Sequence, residues 1–135
     1  MEKRLVAVMN KSLEPGIAMN ALAHMCIGFG AYLGADNLLL MDYHDKDGGI
    51  HPHISKMPFI ILRAGANKLR TLRMNALEQD IDFVDFTDPM TIGTWEEQAA
   101  KSKETPEADL TYYGVVLCGD FEKVSALTKK FSLWK

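Results

Sequence analysis

Residues 4–10 read Arg-Leu-Val-Ala-Val-Met-Asn, and the segment 17–33 that follows after a short polar loop is almost wholly apolar. The first run is short and mostly apolar and predicts a buried strand, whereas the length of the second predicts a helix. Pro15-Gly16 marks the end of the loop between them. A strand followed by such a helix is typical of an α/β fold, in which ligands bind beyond the carboxyl ends of the strands.

Polar positions within this helix follow a regular spacing. Gly16, Asn20, His24 and Gly28 recur every fourth residue, so on a helix they form one slowly drifting stripe. His24 is a candidate general base or ligand-orienting donor because imidazole titrates near neutral pH, and a histidine satisfied by a backbone carbonyl is the alternative. We expect Gly16 and Asn20 to line the same site. Lys11, at the end of the strand, is either a cation of that site or a solvated lysine.

Alternating apolar and amphipathic segments continue to the end of the chain. They predict a single α/β domain over residues 1–135, built as a three-layer α/β/α sandwich around a mixed, mostly parallel sheet of four to five strands. The predicted strands are 4–10, 58–63, 82–87 and 111–118, with an edge strand at 131–134; the predicted helices are 16–33, 66–79, 91–103 and 121–130; residues 38–55 form a hairpin or a structured loop around Asp45-Lys-Asp-Gly-Gly49.

Composition and charge exclude several classes of function. The 135 residues are 47% hydrophobic and carry a net charge of −3, so no general field attracts nucleic acid or an anionic membrane. Polar residues and glycines interrupt the apolar segment 17–33, and we expect a cytoplasmic protein without a membrane span. The chain has no dinucleotide, phosphate-loop or nucleophile-elbow motif, so no cofactor is expected. Cys26 and Cys118 are predicted to be buried free thiols, with one disulfide as the alternative.

Three of the four histidines lie within ten residues. His44, His51 and His53 accompany Asp45 and Asp47, and such side chains suit Zn²⁺ or Mn²⁺. No recognised metal spacing is present, and the aspartates have a turn-forming role, so no metal site is predicted and a metal site is kept as the alternative. We expect His51 and His53 to line a pocket over the sheet edge.

The end of strand 82–87 carries a third group of polar residues. Asp85, Thr87 and Asp88 lie near the carboxyl edge, where a ligand is expected. Asp85 is predicted to pair with His24 as an acid–base or orienting partner. The alternative is that Asp88-Pro89 only turns the chain, with Thr87 bonding locally.

Basic residues cluster in two places. Lys68, Arg70 and Arg73 share the helix 66–79, and Lys129 and Lys130 lie near the C-terminus. Such runs are typical of solvated faces, and acidic residues elsewhere balance them.

Three segments resemble a known family. They are the Asp-rich turn running into His51-Pro-His53-Ile54, the segment Asp85-Phe-Thr-Asp-Pro-Met90, and the closing Leu127-Thr-Lys-Lys-Phe-Ser-Leu-Trp134. Together they resemble the bacterial "domain of unknown function 2000" family. The resemblance implies a fold similar to that of type II peptidyl-tRNA hydrolases.

Those hydrolases open their first helix with Gly-Lys, followed by a glutamine and then a histidine. Gly16 and His24 match this pattern, but Ile17 and Ala21 stand at the lysine and glutamine positions. The resemblance therefore implies a retained scaffold that lacks the catalytic lysine. We expect a small-molecule ligand at the carboxyl edge of the strands. The alternatives are a divergent ester or amide hydrolase using His24, Asp85 and Lys11, and a non-catalytic homodimer formed through the apolar helix.

Overall fold

A five-stranded sheet lies between two layers of helices in the computed structural model, which describes residues 2–135. In chain order the elements are β1 (Lys3–Asn10), α1 (Pro15–Leu33), α2 (Ala35–Leu38), β2 (Leu40–His44), β3 (Ile50–Ser55), β4 (Phe59–Ala64), α3 (Ala66–Glu78), β5 (Asp82–Thr87), a 3₁₀ turn (Asp88–Thr91), α4 (Trp95–Glu104), a 3₁₀ turn (Glu107–Asp109), β6 (Tyr112–Asp120), α5 (Phe121–Thr128) and β7 (Ser132–Leu133).

The order of the strands in the sheet is β5-β6-β1-β4-β7. Only β1 and β4 pair in parallel; the other three pairings are antiparallel. The prediction of a mostly parallel sheet is therefore wrong. The cause is β6, whose continuous apolar run resembles a parallel strand but reflects its central position, because a central strand is buried on both faces whichever way it runs.

Strand direction nevertheless preserves one shared edge. β1, β4 and β5 all run the same way, since β6 is antiparallel to both β1 and β5. Their carboxyl ends therefore meet at one end of the sheet, which we call the carboxyl edge. Lys11, Gly65 and Asp88 follow the three strands directly.

Each face of the sheet has its own core. On one face α1 buries Ala18, Ala21, Met25, Phe29 and Leu33. On the other face α3 buries Leu69, Leu72 and Ala76, and α5 adds Val124. α1 is long and apolar enough to cross a membrane by length and composition, a test that core helices of soluble proteins also pass, and 28% of the tested window is buried.

The hairpin of β2 and β3 stands apart from the main sheet. The two strands pair only with each other, in antiparallel register, as the hairpin interpretation of residues 38–55 predicted. A bulge interrupts the ladder, and His53 has a φ of 65° there. Both cysteines are free thiols; Cys118 is buried and Cys26 half-buried, and burial raises the pKa of each.

Two helix boundaries differ from prediction by two residues or more. α4 begins after Thr94, whose hydroxyl accepts a hydrogen bond from the Glu97 amide. It starts late because residues 88–91 form a 3₁₀ turn instead. α5 begins after its cap, Asp120, and ends at Thr128, two residues early.

Candidate functional site

His24 and Asp85, predicted to pair, lie on opposite faces of the sheet. The imidazole of His24 is exposed and stacks near Phe86, with ring centroids 6.0 Å apart. Asp85 precedes Phe86 on β5, so its side chain points to the other face. There its Oδ2 accepts a hydrogen bond from Arg73 Nε at 2.9 Å. The predicted acid–base pair is therefore not formed.

Asp85 instead fastens α3 to β5. Its side chain is only 17% exposed, and the Arg73 guanidinium also lies 5.3 Å from the ring centre of Phe83. Arg73 was predicted on a solvated face, because helical periodicity alone assigns a side chain to the outward side of its helix. A long guanidinium side chain can fold back over its own helix to reach a neighbouring strand.

Thr87 and Asp88 stabilise the long connection between β5 and β6, and they do not form a cleft with His24. The Asp88 amide donates to the Thr111 carbonyl at 3.0 Å, and Asp88 Oδ1 accepts from the Thr111 amide at 2.9 Å. Thr87 is buried, and its amide faces Met90 Sδ at 3.4 Å. The geometry is that of the turn-forming alternative, which ties the end of β5 to the start of β6.

The histidine-rich segment forms the tip of the hairpin. Asp45 Oδ1 accepts the amides of Asp47 and Gly49, and Asp45 Oδ2 lies 2.8 Å from His51 Nε2. The hydrogen bond with His51 contributes most to lowering the pKa of Asp45 below its usual value, and the two backbone hydrogen bonds lower it further. The bulge at His53 breaks the two-residue alternation, so His51 and His53 do not share a face.

Both histidines are exposed, and neither lines any of the clefts described below. Within residues 2–135, no group of three or more His, Cys, Asp or Glu side chains lies close enough to hold a metal ion. Gly16 and Asn20 are exposed on α1 and lie outside the clefts described below.

A basic cleft of about 640 Å³ lies at the carboxyl edge. Four of its ten lining residues are cationic and none is acidic; the four are Lys11, Arg63, Lys68 and Lys130. Within the described residues none of the four forms an ion pair. Lys11 is thus the one predicted site residue that lines this cleft, and we call the four the basic quartet.

Backbone and side-chain bonds hold the first wall of the basic cleft. The Lys11 amide donates to the Ala64 carbonyl at 2.9 Å, which ties the turn after β1 to the end of β4. Asn10 is buried; its Nδ2 donates to the Tyr112 carbonyl and its Oδ1 accepts the Ser12 amide, both at 2.9 Å. The turn that carries Lys11 is therefore fixed from both sides.

The second wall is the start of α3. Gly65 occupies the N-cap position and no side chain caps the helix, so its first-turn amides have no side-chain acceptor. Free amides and the helix dipole make this end electropositive. Lys68 and Lys130 were predicted on solvated faces; only the packing of α3 and α5 on the same face of the sheet brings them to one cleft.

A groove of about 320 Å³ continues from the basic cleft between α3 and α5. The two share Lys68, Lys130 and Phe131, and the groove adds Leu72 and Leu127 among its lining residues. The combined space is cationic at one end and less polar along the helices.

Another cleft, of about 370 Å³, lies between α1, α3 and β5. It contains Asp80 and Asp82 and no basic residue, and the Tyr32 hydroxyl donates to Asp82 Oδ1 at 3.3 Å across its rim. Its charge is opposite to that of the basic cleft, so it does not suit an anion.

Comparison with known proteins gives a family and a fold. No curated protein matches the sequence. Among solved structures, a protein of unknown function from Agrobacterium tumefaciens strain C58 is similar, with a TM-score of 0.86 and 19% identity over 100% of this chain and 99% of that chain. At that identity the likeness concerns the fold alone. The sequence profile of the family "Protein of unknown function (DUF2000)" matches residues 3–135, which confirms the predicted resemblance: the chain belongs to that family.

Proposed function

We propose that this protein binds a small organic anion, bearing a phosphate or carboxylate group, in the basic cleft. The observation that carries the proposal is the basic quartet: four unpaired cations line one concavity without a single carboxylate. The whole chain has a net charge of −3, so this local excess runs against the overall balance. Like charges gathered in one concavity repel one another, and a bound anion relieves that repulsion.

The position of the cleft supports the same class of ligand. It lies beyond the carboxyl ends of the parallel neighbours β1 and β4, where open α/β sheets commonly bind ligands. The first turn of α3 adds backbone amides that donate to no side chain and suit phosphate or carboxylate oxygens.

The adjoining groove indicates the size and polarity of the ligand. The basic cleft and the groove each fall in the range of small-molecule sites, roughly 300–1,000 Å³. If the anionic head group of the ligand binds among the basic quartet, the rest of the ligand lies in the groove along Leu72 and Leu127. The proposed ligand is therefore an organic phosphate or carboxylate with an apolar portion, rather than a bare inorganic ion.

The resemblance to type II peptidyl-tRNA hydrolases implies a similar fold, and this proposal takes no activity from it. A hydrolase version would need His24 beside a cation and an orienting acid. His24 lies on α1 next to Phe86, whereas Lys11 lines the basic cleft and Asp85 is paired with Arg73. Because these parts are dispersed, binding without hydrolysis is the better-supported function.

The test is a calorimetric titration at low salt with phenyl phosphate, benzoate and inorganic phosphate. Phenyl phosphate and benzoate differ in head group, and inorganic phosphate lacks the apolar portion. We expect Lys68→Gln and Lys130→Gln each to weaken binding by about 10-fold or more, the usual worth of a hydrogen bond to a charged group. Added salt should weaken binding further because the site is open to solvent.

Lys123→Gln is the matched control, since Lys123 is an exposed lysine of α5 outside the cleft. It should bind as the wild type does. Failure of all three probes to bind at millimolar concentration, or equal binding by the quartet variants and the control, would contradict the proposal.

A further inference from the structure

Exposed apolar side chains are concentrated in one part of this chain. Fifteen large apolar side chains are exposed on the described surface, and nine of them lie within residues 17–54, little more than a quarter of the sequence. Four are on α1 and five are on residues 39–55, the segment that we call the arm. We call these nine side chains the apolar surface; none of them lines the basic cleft.

The outward side of α1 is unlike that of an ordinary surface helix. No Lys, Arg, Asp or Glu occurs between Pro15 and Leu33. A helix with one buried side normally turns charged and polar residues to water. Here Met19, Ile27 and Tyr32 are 65%, 73% and 71% exposed, and Ile17 is exposed as well.

The arm carries exposed apolar side chains on both of its faces. Leu40 and Ile50 lie on one face, since Ile50 pairs with His44 in the ladder; Tyr43 and Ile54 lie on the other, since Ile54 pairs with Met41. All four are exposed, and so is Leu39 at the base of the arm. A two-stranded hairpin is marginal on its own, and one apolar on both faces is best stabilised when it is enclosed.

The size of the apolar surface matches a stable protein interface. The exposed fractions of its nine residues add up to five fully exposed residues. At about 150 Å² for each, the lower end of the range for an aromatic side chain, that is roughly 750 Å². The largest apolar patch of a typical monomer covers about 300–600 Å², whereas a standard interface buries about 800 Å² per partner.

We propose that a second copy of this chain covers the apolar surface, with α1 packed against its symmetry mate and each arm enclosed by the partner. A two-fold contact uses the same surface on both copies, so the outward side of α1 meets its own equivalent in the partner. The outward side of α1 also carries the small residues Ala23 and Ala31 beside Ile27, which let two helices approach closely. A membrane is the weaker occupant because α1 lacks the Lys and Arg that interfacial helices use.

The test is the mass of the full-length protein in solution by light scattering and sedimentation. We expect twice the chain mass of 15.1 kDa. Ile27→Glu on α1 and Ile54→Glu on the arm should each raise the dissociation constant about 100-fold, as loss of a central interface side chain does. Both positions are exposed in the single chain, so the fold, followed by circular dichroism, should be unchanged.

Met74→Glu is the matched control because Met74 is 47% exposed on α3, outside the apolar surface. It should leave the dimer intact, and so should the lysine variants of the basic cleft, which separates this test from that of the proposed ligand. A wild-type monomer at high micromolar concentration would overturn the proposal. So would a dimer that resists both glutamate substitutions, or a monomer that floats with phosphatidylcholine–phosphatidylglycerol vesicles.

Discussion

The contact between Asp85 and Arg73 yields the sharpest prediction, because it decides whether Asp85 is structural or functional. Asp85→Asn and Arg73→Met, singly and together, form a double-mutant cycle. Methionine keeps an unbranched apolar stem near Phe83 while it removes the charge. Since the ion pair is intact in the folded chain, we expect the two substitutions to be coupled in their effect on the free energy of unfolding.

The exposure of the two side chains sets the magnitude. Asp85 is 17% and Arg73 is 30% exposed, so their contact lies between an open surface pair and a fully buried one. Exposed pairs contribute about 0.2–1 kcal/mol, and hydrogen bonds to charged groups contribute about 1.5–3 kcal/mol. With the discount for solvent, the coupling should be about 1.5 kcal/mol, or roughly 5 °C in melting temperature for a chain of this length.

Urea unfolding followed by circular dichroism measures the four free energies directly. A coupling below about 0.5 kcal/mol would refute the structural role, since that value is typical of a solvated surface pair. The same variants should bind anions in the basic cleft as the wild type does, because Asp85 and Arg73 do not line it. Unchanged stability together with lost binding would identify Asp85 as a functional residue and contradict our placement of the site.

Burial, and then a 2.8 Å hydrogen bond to Glu107, raises the pKa of Tyr112 to about 12 from its ordinary value of 10. Between pH 10 and 12 the phenol ionises in the unfolded chain but not in the folded chain, so the free energy of unfolding should fall as the pH rises through that window. Tyr112→Phe should remove this part of the fall. A variant with the same pH profile as the wild type would count against the assignment. Gly114→Ala should destabilise by about 1–2 kcal/mol in thermal unfolding, because its new Cβ would lie 2.7 Å from Met9 Sδ. Gly28→Ala, with nothing within 4 Å, is the control and should stabilise; equal effects of the two would show that the core tolerates the extra methyl group.

Local patterns in the sequence determined most of the elements. The apolar run 4–10 and the alternation over 82–87 predicted β1 and β5 to within a residue, because strand periodicity is a property of neighbouring residues. The Asp-Gly-Gly turn likewise indicated the hairpin. Lys11 was predicted either as a cation of a site at the carboxyl edge or as a solvated lysine, because the end of a strand can be read without knowing what packs beside it.

Tertiary structure decided how those elements meet. The insertion of β6 between β1 and β5 made two of the four strand pairings antiparallel, and β7 adds a third beside β4. Apolar content does not specify the direction of a central strand. The partner of Asp85 depended on which face of β5 it occupies and on α3 lying over that face. The basic cleft joins residues from positions 11, 63–68 and 130–132, which are far apart in the chain. Periodicity assigns a side chain to an inward or outward side of its own element, but only the packing of elements determines which outward charges share a cleft and which are left facing water.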